Sequence, residues 1–201
     1  MPRNARTEVA ATTVSDSARD RVLAAAERCI ERHGIRKTTI EDIASEAGMS
    51  RPGVYRYFSD RDDLLVALIS QHSRALHDKG HRLLAKKTNL TEQITEGVLY
   101  LADQGRRDHF IRYLVNLDGT DLGRRMVTTQ TSATLNTEFW DPILDQAIRV
   151  GTLPEGLARP DIHLWLRNLC LMVMRGLDEG EGDIRRYRTI LQTFVAPAFS
   201  A

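Results

Sequence analysis

Wherever apolar residues recur in this chain, they recur almost always three and four positions apart, the period of a helix that buries one face. No run of alternating β-branched residues is long enough to argue for a strand, so the pattern predicts an all-α fold. Residues 1–16 are rich in Ala, Thr and Arg without an apolar face, and are expected to form a flexible arm. A first helix is expected over 17–33, capped by Ser17, burying Val22, Leu23, Ala26 and Ile30, and stopped by Gly34. Thr38 and Thr39 open a second. The spacing of Thr38 to Glu41 has the form of a capping box, and Ile40, Ile43, Ala44 and Ala47 share one face before Gly48 breaks the helix. Ser50 can cap a third short helix that accepts Pro52 in its first turn and turns Val54 and Phe58 inward. Ser59 or Asp60 caps a fourth, which carries Leu64, Leu65, Leu68 and Ile69 towards about residue 79. Longer helices are expected at 91–104, 107–117, 121–131, 133–150, 160–177 and 183–196, with breaks at Asp118-Gly119, at Gly151 with Pro154, and across 178–182.

A length of 201 residues allows a small domain joined to a medium one. The pattern suggests an arm over 1–16, a small helical head over 17–62 and a larger helical domain over 63–201, with helix four joining the two domains. The 28 basic and 27 acidic residues leave a net charge of +1, so affinity for a polyanion has to come from local placement. Cys29 and Cys170 lie far apart among apolar neighbours, which suits reduced core thiols rather than a disulfide or zinc frame. The first residues lack the apolar run of a signal peptide, and the densest apolar run, 169–174, is far below the roughly 18 residues needed to span a bilayer. A cytoplasmic protein without membrane contact is the expectation.

The stretch from Thr38 to Leu65 is the most informative. Two short helices can cross closely if their contact residue is small and the turn accepts a left-handed backbone, which Ala44 and Gly48 provide, with Met49 and Val54 filling the wedge. With Val54 and Phe58 buried, a 3.6-residue repeat turns Arg51, Pro52, Tyr55 and Arg56 outward. That basic, hydroxylated face suits a major groove, where Arg can bond guanine O6 and N7, and Ser or a Pro ring can meet a thymine methyl or a sugar. Gly53 permits close approach. Tyr55 and Tyr57 offer hydroxyls to phosphates, Thr39 and Ser50 stand at helix N-termini, and Arg61 adds a further phosphate contact.

The pattern T-x-x-x-I-A-x-x-A-G-x-S-x-x-x-V-Y-x-Y-F, present from Thr39 to Phe58, resembles the DNA-binding signature of the tetracycline-repressor (TetR) family. The resemblance implies an all-helical homodimer with a variable C-terminal domain that binds a small molecule. By position it assigns DNA-facing roles to Thr39, Ser50, Arg51, Pro52, Gly53, Tyr55, Arg56, Tyr57 and Arg61. Arg61 stands where the family more often has Lys, and Glu41 where some members place a basic, base-reading residue.

In the last two helices Ile162, Trp165, Leu166, Leu169, Cys170, Val173 and Leu177, then Ile184, Tyr187, Ile190, Leu191, Phe194 and Val195, form wide apolar stripes. They are expected to pack against a twofold mate, with Trp165, Leu169, Val173, Tyr187, Leu191 and Phe194 at the interface. Tyr100, Phe110, Tyr113, Asn116, Phe139, Trp140 and Asn168 are the candidates for a ligand site. His77 and His81 have a spacing that can clamp a metal, but nothing completes a ligand set, so neither metal nor cofactor is expected. The expected function is a ligand-responsive regulator, a repressor that binds a palindromic operator as a homodimer. Two rivals remain: a ligand-independent architectural or adaptor protein that keeps the DNA head, and an enzyme on a helical bundle. The enzyme lacks a nucleophile beside a base, an H-E-x-x-H motif and a Gly-rich phosphate loop.

Overall fold

The computed structural model describes residues 5–115, 130–153, 156 and 158–199, of which 5–16, 114, 115 and 130 are described as backbone only. Every regular element among them is helical: α1 (Ala5–His33), α2 (Ile40–Glu46), α3 (Arg51–Tyr55), α4 (Arg61–Leu84), α5 (Leu90–Arg107), α6 (His109–Val115), α7 (Gln130–Arg149), α8 (Arg159–Glu179), α9 (Ile184–Phe194) and a closing 3-10 turn (Ala196–Phe199). The chain forms two compact units, Met1–Leu68 and Ile69–Ala201, and the division falls inside α4. The sequence pattern put that division a few residues earlier, at 62/63.

The first unit owns its core. Val22, Leu23, Ala26 and Ile30 of α1 close over Ile40, Ile43 and Ala44 of α2, with Val54, Phe58, Leu64, Leu65 and Leu68 completing it. Glu46 fastens α2 to α1 by accepting from Arg28 Nε at 2.7 Å and also from Arg32. Hydrogen bonds from Arg28, then Arg32, hold its carboxyl below the usual range. The Arg19 guanidinium lies 5.0 Å from the Phe58 ring centroid, a cation–π contact. Two features depart from the sequence expectation. Helix α1 already runs from Ala5, although an arm was expected over 1–16, because nothing in 5–16 is a Gly or Pro that would halt a helix nucleated downstream. The capping box of α2 is set on Thr39 and Asp42 instead of Thr38 and Glu41, since Thr38 is buried and turns its hydroxyl onto the Gly34 carbonyl at 3.0 Å.

In the second unit α5 packs against α8 and α9, and α7 against α8. Ile94, Val98, Leu99, Trp140, Leu144, Leu166, Val173 and Leu191 form the centre of its core. Helix α4 passes the predicted stop near residue 79 because Gly80 serves packing: a Cβ there would stand 2.8 Å from Phe139 Cε2 and 2.9 Å from Tyr100 Cε1. Gly97 does the same for Trp140, whose Cη2 would be 2.7 Å from an added Cβ. Arg188 of α9 grips Glu96 of α5 through two bonds of 2.8 Å, and Arg159 of α8 donates to Asp141 at 2.7 Å and Asp145 at 2.6 Å on α7. The helix expected at 121–131 and the break at Asp118-Gly119 lie essentially outside the described residues.

Candidate functional site

Three short-range devices hold α2 and α3 against each other. The Thr39 hydroxyl accepts from the Asp42 N–H at 3.2 Å, while the Asp42 carboxylate accepts from the Thr39 N–H at 2.9 Å. Hydrogen bonds from the Thr39 hydroxyl, then its N–H, lower the Asp42 carboxyl below its ordinary value. The turn follows through Gly48 at φ 65°, a left-handed conformation that side chains resist, and the Met49 N–H returns to the Ala44 carbonyl at 2.9 Å. Ser50 then caps α3 by accepting from the Gly53 N–H at 3.2 Å, with Pro52 in the first turn.

This geometry fixes which side of α3 is free. Val54 and Phe58 are sealed, whereas Arg51, Pro52, Tyr55 and Arg56 are exposed and Gly53 and Tyr57 are half-buried. The Arg51 guanidinium stands 5.7 Å from the Tyr55 ring centroid and 3.5 Å from the Glu41 carboxylate. Tyr55, then Glu41, raise the Arg51 pKa. Thr39 and Ser50 are exposed at the two N-termini. Exposed Arg36 and Lys37, in the turn before α2, add two cations that the sequence reading passed over; two adjacent basic residues just past the Gly34 helix stop were the available signal. The surface therefore combines guanidinium forks, hydroxyls and capped N-termini, the donor set that phosphates and guanine edges accept.

Arg61 departs from the phosphate role expected of it. Its Nε donates to the Thr38 carbonyl at 3.0 Å and its Nη2 to the Ile35 carbonyl. These carbonyls belong to the turn between α1 and α2 and have no helical partner, so a planar five-donor fork satisfies them better than water does. Asp60, the neighbouring residue, accepts from the Asp63 N–H at 2.7 Å and opens α4.

The second unit contains a cavity of about 150 Å³ among α4, α5 and α8, walled by Leu76, His77, Leu101, Asn136, Arg167 and Cys170 with others. None of the aromatic residues expected to hold a ligand reaches it. Phe110, Phe139 and Trp140 are fully buried as core, Phe139 and Trp140 meeting edge to face at 4.8 Å. Tyr100 is half-buried and donates to the Leu76 carbonyl at 3.2 Å, Tyr113 is half-buried on α6, and Asn168 is exposed with its amide on the Leu164 carbonyl at 2.9 Å. Asn116 lies outside the described residues. Aromatic spacing marks the faces that point inward, and these rings fill the interior they point into. His81, the other half of the expected histidine pair, meets the Phe139 carbonyl at 2.8 Å through Nε2. Burial pushes the Cys170 thiol up to about 12, so it is not a nucleophile near neutral pH.

The residues expected at a subunit interface divide. Val173 and Leu191 are wholly buried within the chain, and Leu169 and Tyr187 nearly so, because α8 and α9 pack on α5 with that side. Trp165 and Phe194 are 40% and 74% exposed. Leu164, Leu171 and Met172 are exposed as well, and the intervals 164/171 and 165/172 place them on one face of α8. A nearly all-apolar recess of about 430 Å³ beside Trp165 and Phe199 adjoins it.

Residues 22–68 match the sequence profile of the bacterial regulatory proteins of the tetR family. Over 141 residues the chain is 28% identical to an uncharacterized HTH-type transcriptional regulator of Mycobacterium bovis, covering 69% of this chain and 71% of that one. The fold is similar to that of Thermus thermophilus FadR, a TetR-family transcriptional repressor solved with lauroyl-CoA (TM-score 0.66, 21% identity, 91% of this chain and 95% of the other). It is also similar to that of Bacillus subtilis FadR, solved with stearoyl-CoA (TM-score 0.62, 18% identity, 89% and 97%).

Proposed function

This chain belongs to the TetR family of transcriptional regulators, and from that premise we propose that it represses transcription by binding a palindromic operator as a homodimer and lets go when a small molecule enters its second unit. The observation that carries the reading is α3: a capped helix whose buried side is Val54 and whose free side is Arg51, Pro52, Tyr55 and Arg56. In the complex Arg51 and Arg56 reach base edges, Gly53 allows close approach, and Thr39, Ser50, Tyr55 and Tyr57 hold phosphates. Glu41 must release Arg51 for this, a weak constraint since both side chains are well exposed at 3.5 Å. Two copies joined through the exposed face of α8 and Phe194 of α9 supply two reading heads, which on successive major grooves stand about 34–36 Å apart.

The ligand acts through occupancy of the cavity among α4, α5 and α8. Helix α4 is a single covalent route, carrying Leu65 and Leu68 of the first unit's core and His77 of the cavity wall. To move the population from 1:99 to 99:1 the ligand has to prefer the released state by about 5.5 kcal/mol. The test is selection of bound duplexes from a random pool, followed by titration of the selected site against salt. A palindromic consensus and a steep fall of log affinity with log salt are expected, with Arg56→Ala relaxing the sequence preference by about 1–3 kcal/mol. An asymmetric or absent consensus, or a flat salt dependence, overturns the reading.

A further inference from the structure

The chemistry of the releasing molecule can be read from three properties of the cavity among α4, α5 and α8; only its biological role rests on the function proposed above. The first is size. About 150 Å³ is enough for a benzene-sized body between apolar walls, and about half the volume at which drug-sized ligand sites begin. The walls suit such a body: Leu76, Leu101, Ala102, Ile111, Cys170 and Met174 provide most of them.

The second property is charge. Arg167 is the one permanently charged residue on the wall, and among the described residues no carboxylate pairs with it and no hydrogen-bond acceptor holds its guanidinium. It stands also on the wall of an adjoining recess of about 380 Å³, and Asn136 is shared by the two spaces. In that recess the other cation is already neutralised, since Arg159 donates to Asp141 and Asp145. His163 meets the same Asp141 at 2.9 Å through Nε2. Both carboxylates are bonded to Arg159, and Arg167, half-exposed on the wall of the apolar space, is the cation there without an ion-pair partner among the described residues. A cation entering there would be repelled, a neutral body would leave the guanidinium without an anion, and an anion would complete it.

The third property is the neutral ring of His77 on the wall. His77 Nδ1 is buried with no hydrogen-bond partner among the described residues. Burial, followed by the nearby His81, pushes the His77 pKa down to about 4, so the ring is neutral near pH 7 and presents one donor and one acceptor without charge. That nitrogen is closed off from the cavity, so what His77 adds to the wall is an uncharged ring.

We propose that this cavity binds a compact monocyclic aromatic acid of the benzoate class, with its ring between α4, α5 and α8 and its carboxylate on Arg167. A long acyl chain is larger than the space between these walls, and a phenol without a carboxylate lacks the group that Arg167 calls for.

Calorimetry on the full chain tests this with sodium benzoate, 4-hydroxybenzoate, benzamide and sodium octanoate. Benzoate should saturate below about 1 mM, within reach of so small a ligand. 4-Hydroxybenzoate should bind similarly, and benzamide and octanoate at least tenfold more weakly. Arg167→Gln, at a half-exposed position that should tolerate the change, should erase the preference of benzoate over benzamide, and Arg167→Lys should restore it in part. Benzamide binding as well as benzoate, octanoate binding more tightly, or no binding of either benzoate compound overturns the proposal. Salt-dependent duplex binding measured on the same preparation separates the two readings. Intact duplex binding without acid binding sinks the ligand assignment alone, and acid binding without duplex binding sinks the regulator alone.

Discussion

Replacing Arg61 with alanine separates a structural guanidinium from a phosphate-binding one. In the structure the side chain donates to two carbonyls of the turn between α1 and α2, those of Thr38 and Ile35. A hydrogen bond from a charged donor is worth about 1.5–3 kcal/mol, but two bonds of one half-exposed group are not additive, so a loss of about 2 kcal/mol is expected. For a chain of this size that lowers the melting temperature by about 4–8 °C. The same turn leads into Thr39, so operator affinity should fall through loosening of the α2 cap, with the slope of log affinity against log salt unchanged. If Arg61 instead grips a phosphate, Arg61→Ala should leave the melt almost untouched and make that slope shallower by about 0.9. Arg61→Lys sharpens the contrast: an ammonium keeps the charge but cannot fork onto two carbonyls, so it should fail to restore the melting temperature if Arg61 is a clamp, and should restore the salt slope if Arg61 grips a phosphate. An unchanged melt together with a shallower slope would refute the carbonyl clamp.

Three further outcomes are expected. Gly97→Ala gains about 1 kcal/mol of helix propensity but drives a methyl to 2.7 Å from Trp140, and overpacking of about 1–3 kcal/mol should leave the protein less stable by urea denaturation; a raised midpoint would mean that the indole shifts at little cost. His77 is depressed to about 4 from 6.5, so the unfolded chain takes up its proton first; the stabilisation present above pH 6.5 is lost as pH falls towards 4, by on the order of 3 kcal/mol. Since Asp108 and Glu138, both held low by their partners, lose stabilisation in acid as well, the measurement is the difference between wild type and His77→Gln, and parallel stability curves between pH 6.5 and 4 would contradict it. Trp165→Asp and Phe194→Asp should each sediment as monomers with little loss of protomer stability, because both side chains are exposed within the chain; a variant that stays dimeric moves the interface elsewhere.

The parts of this molecule that were legible in the sequence are those fixed by local chemistry. Ser50 before an Arg-Pro-Gly turn and Gly48 after Ala47 admit few alternatives, and both stand in the expected roles. Where two residues can play one role, only packing decides. Thr38 and Thr39 are equivalent caps until burial of Thr38 takes one of them away. Arg61 illustrates a different limit: an outward-looking basic residue at a helix start says nothing about loose carbonyls that the chain brings to it from Ile35 and Thr38. The aromatic residues of the second unit illustrate a third. Period 3.6 identifies the inward side of each helix, yet whether that side meets other side chains or a void depends on small residues such as Gly80 and Gly97 that let the rings of Phe139 and Trp140 settle. The cavity is bounded instead by Leu101, Cys170 and Arg167, residues whose spacing is indistinguishable from ordinary core and surface.

Because the division between the two cores falls inside one helix, each half keeps its own set of buried side chains. Substitutions around Leu101, Asn136 or Cys170 reshape the cavity without touching the contacts that keep α3 in place. Under the proposed function, such an arrangement lets a lineage exchange one chemical signal for another in a few mutational steps while the sites it recognises on the genome stay the same.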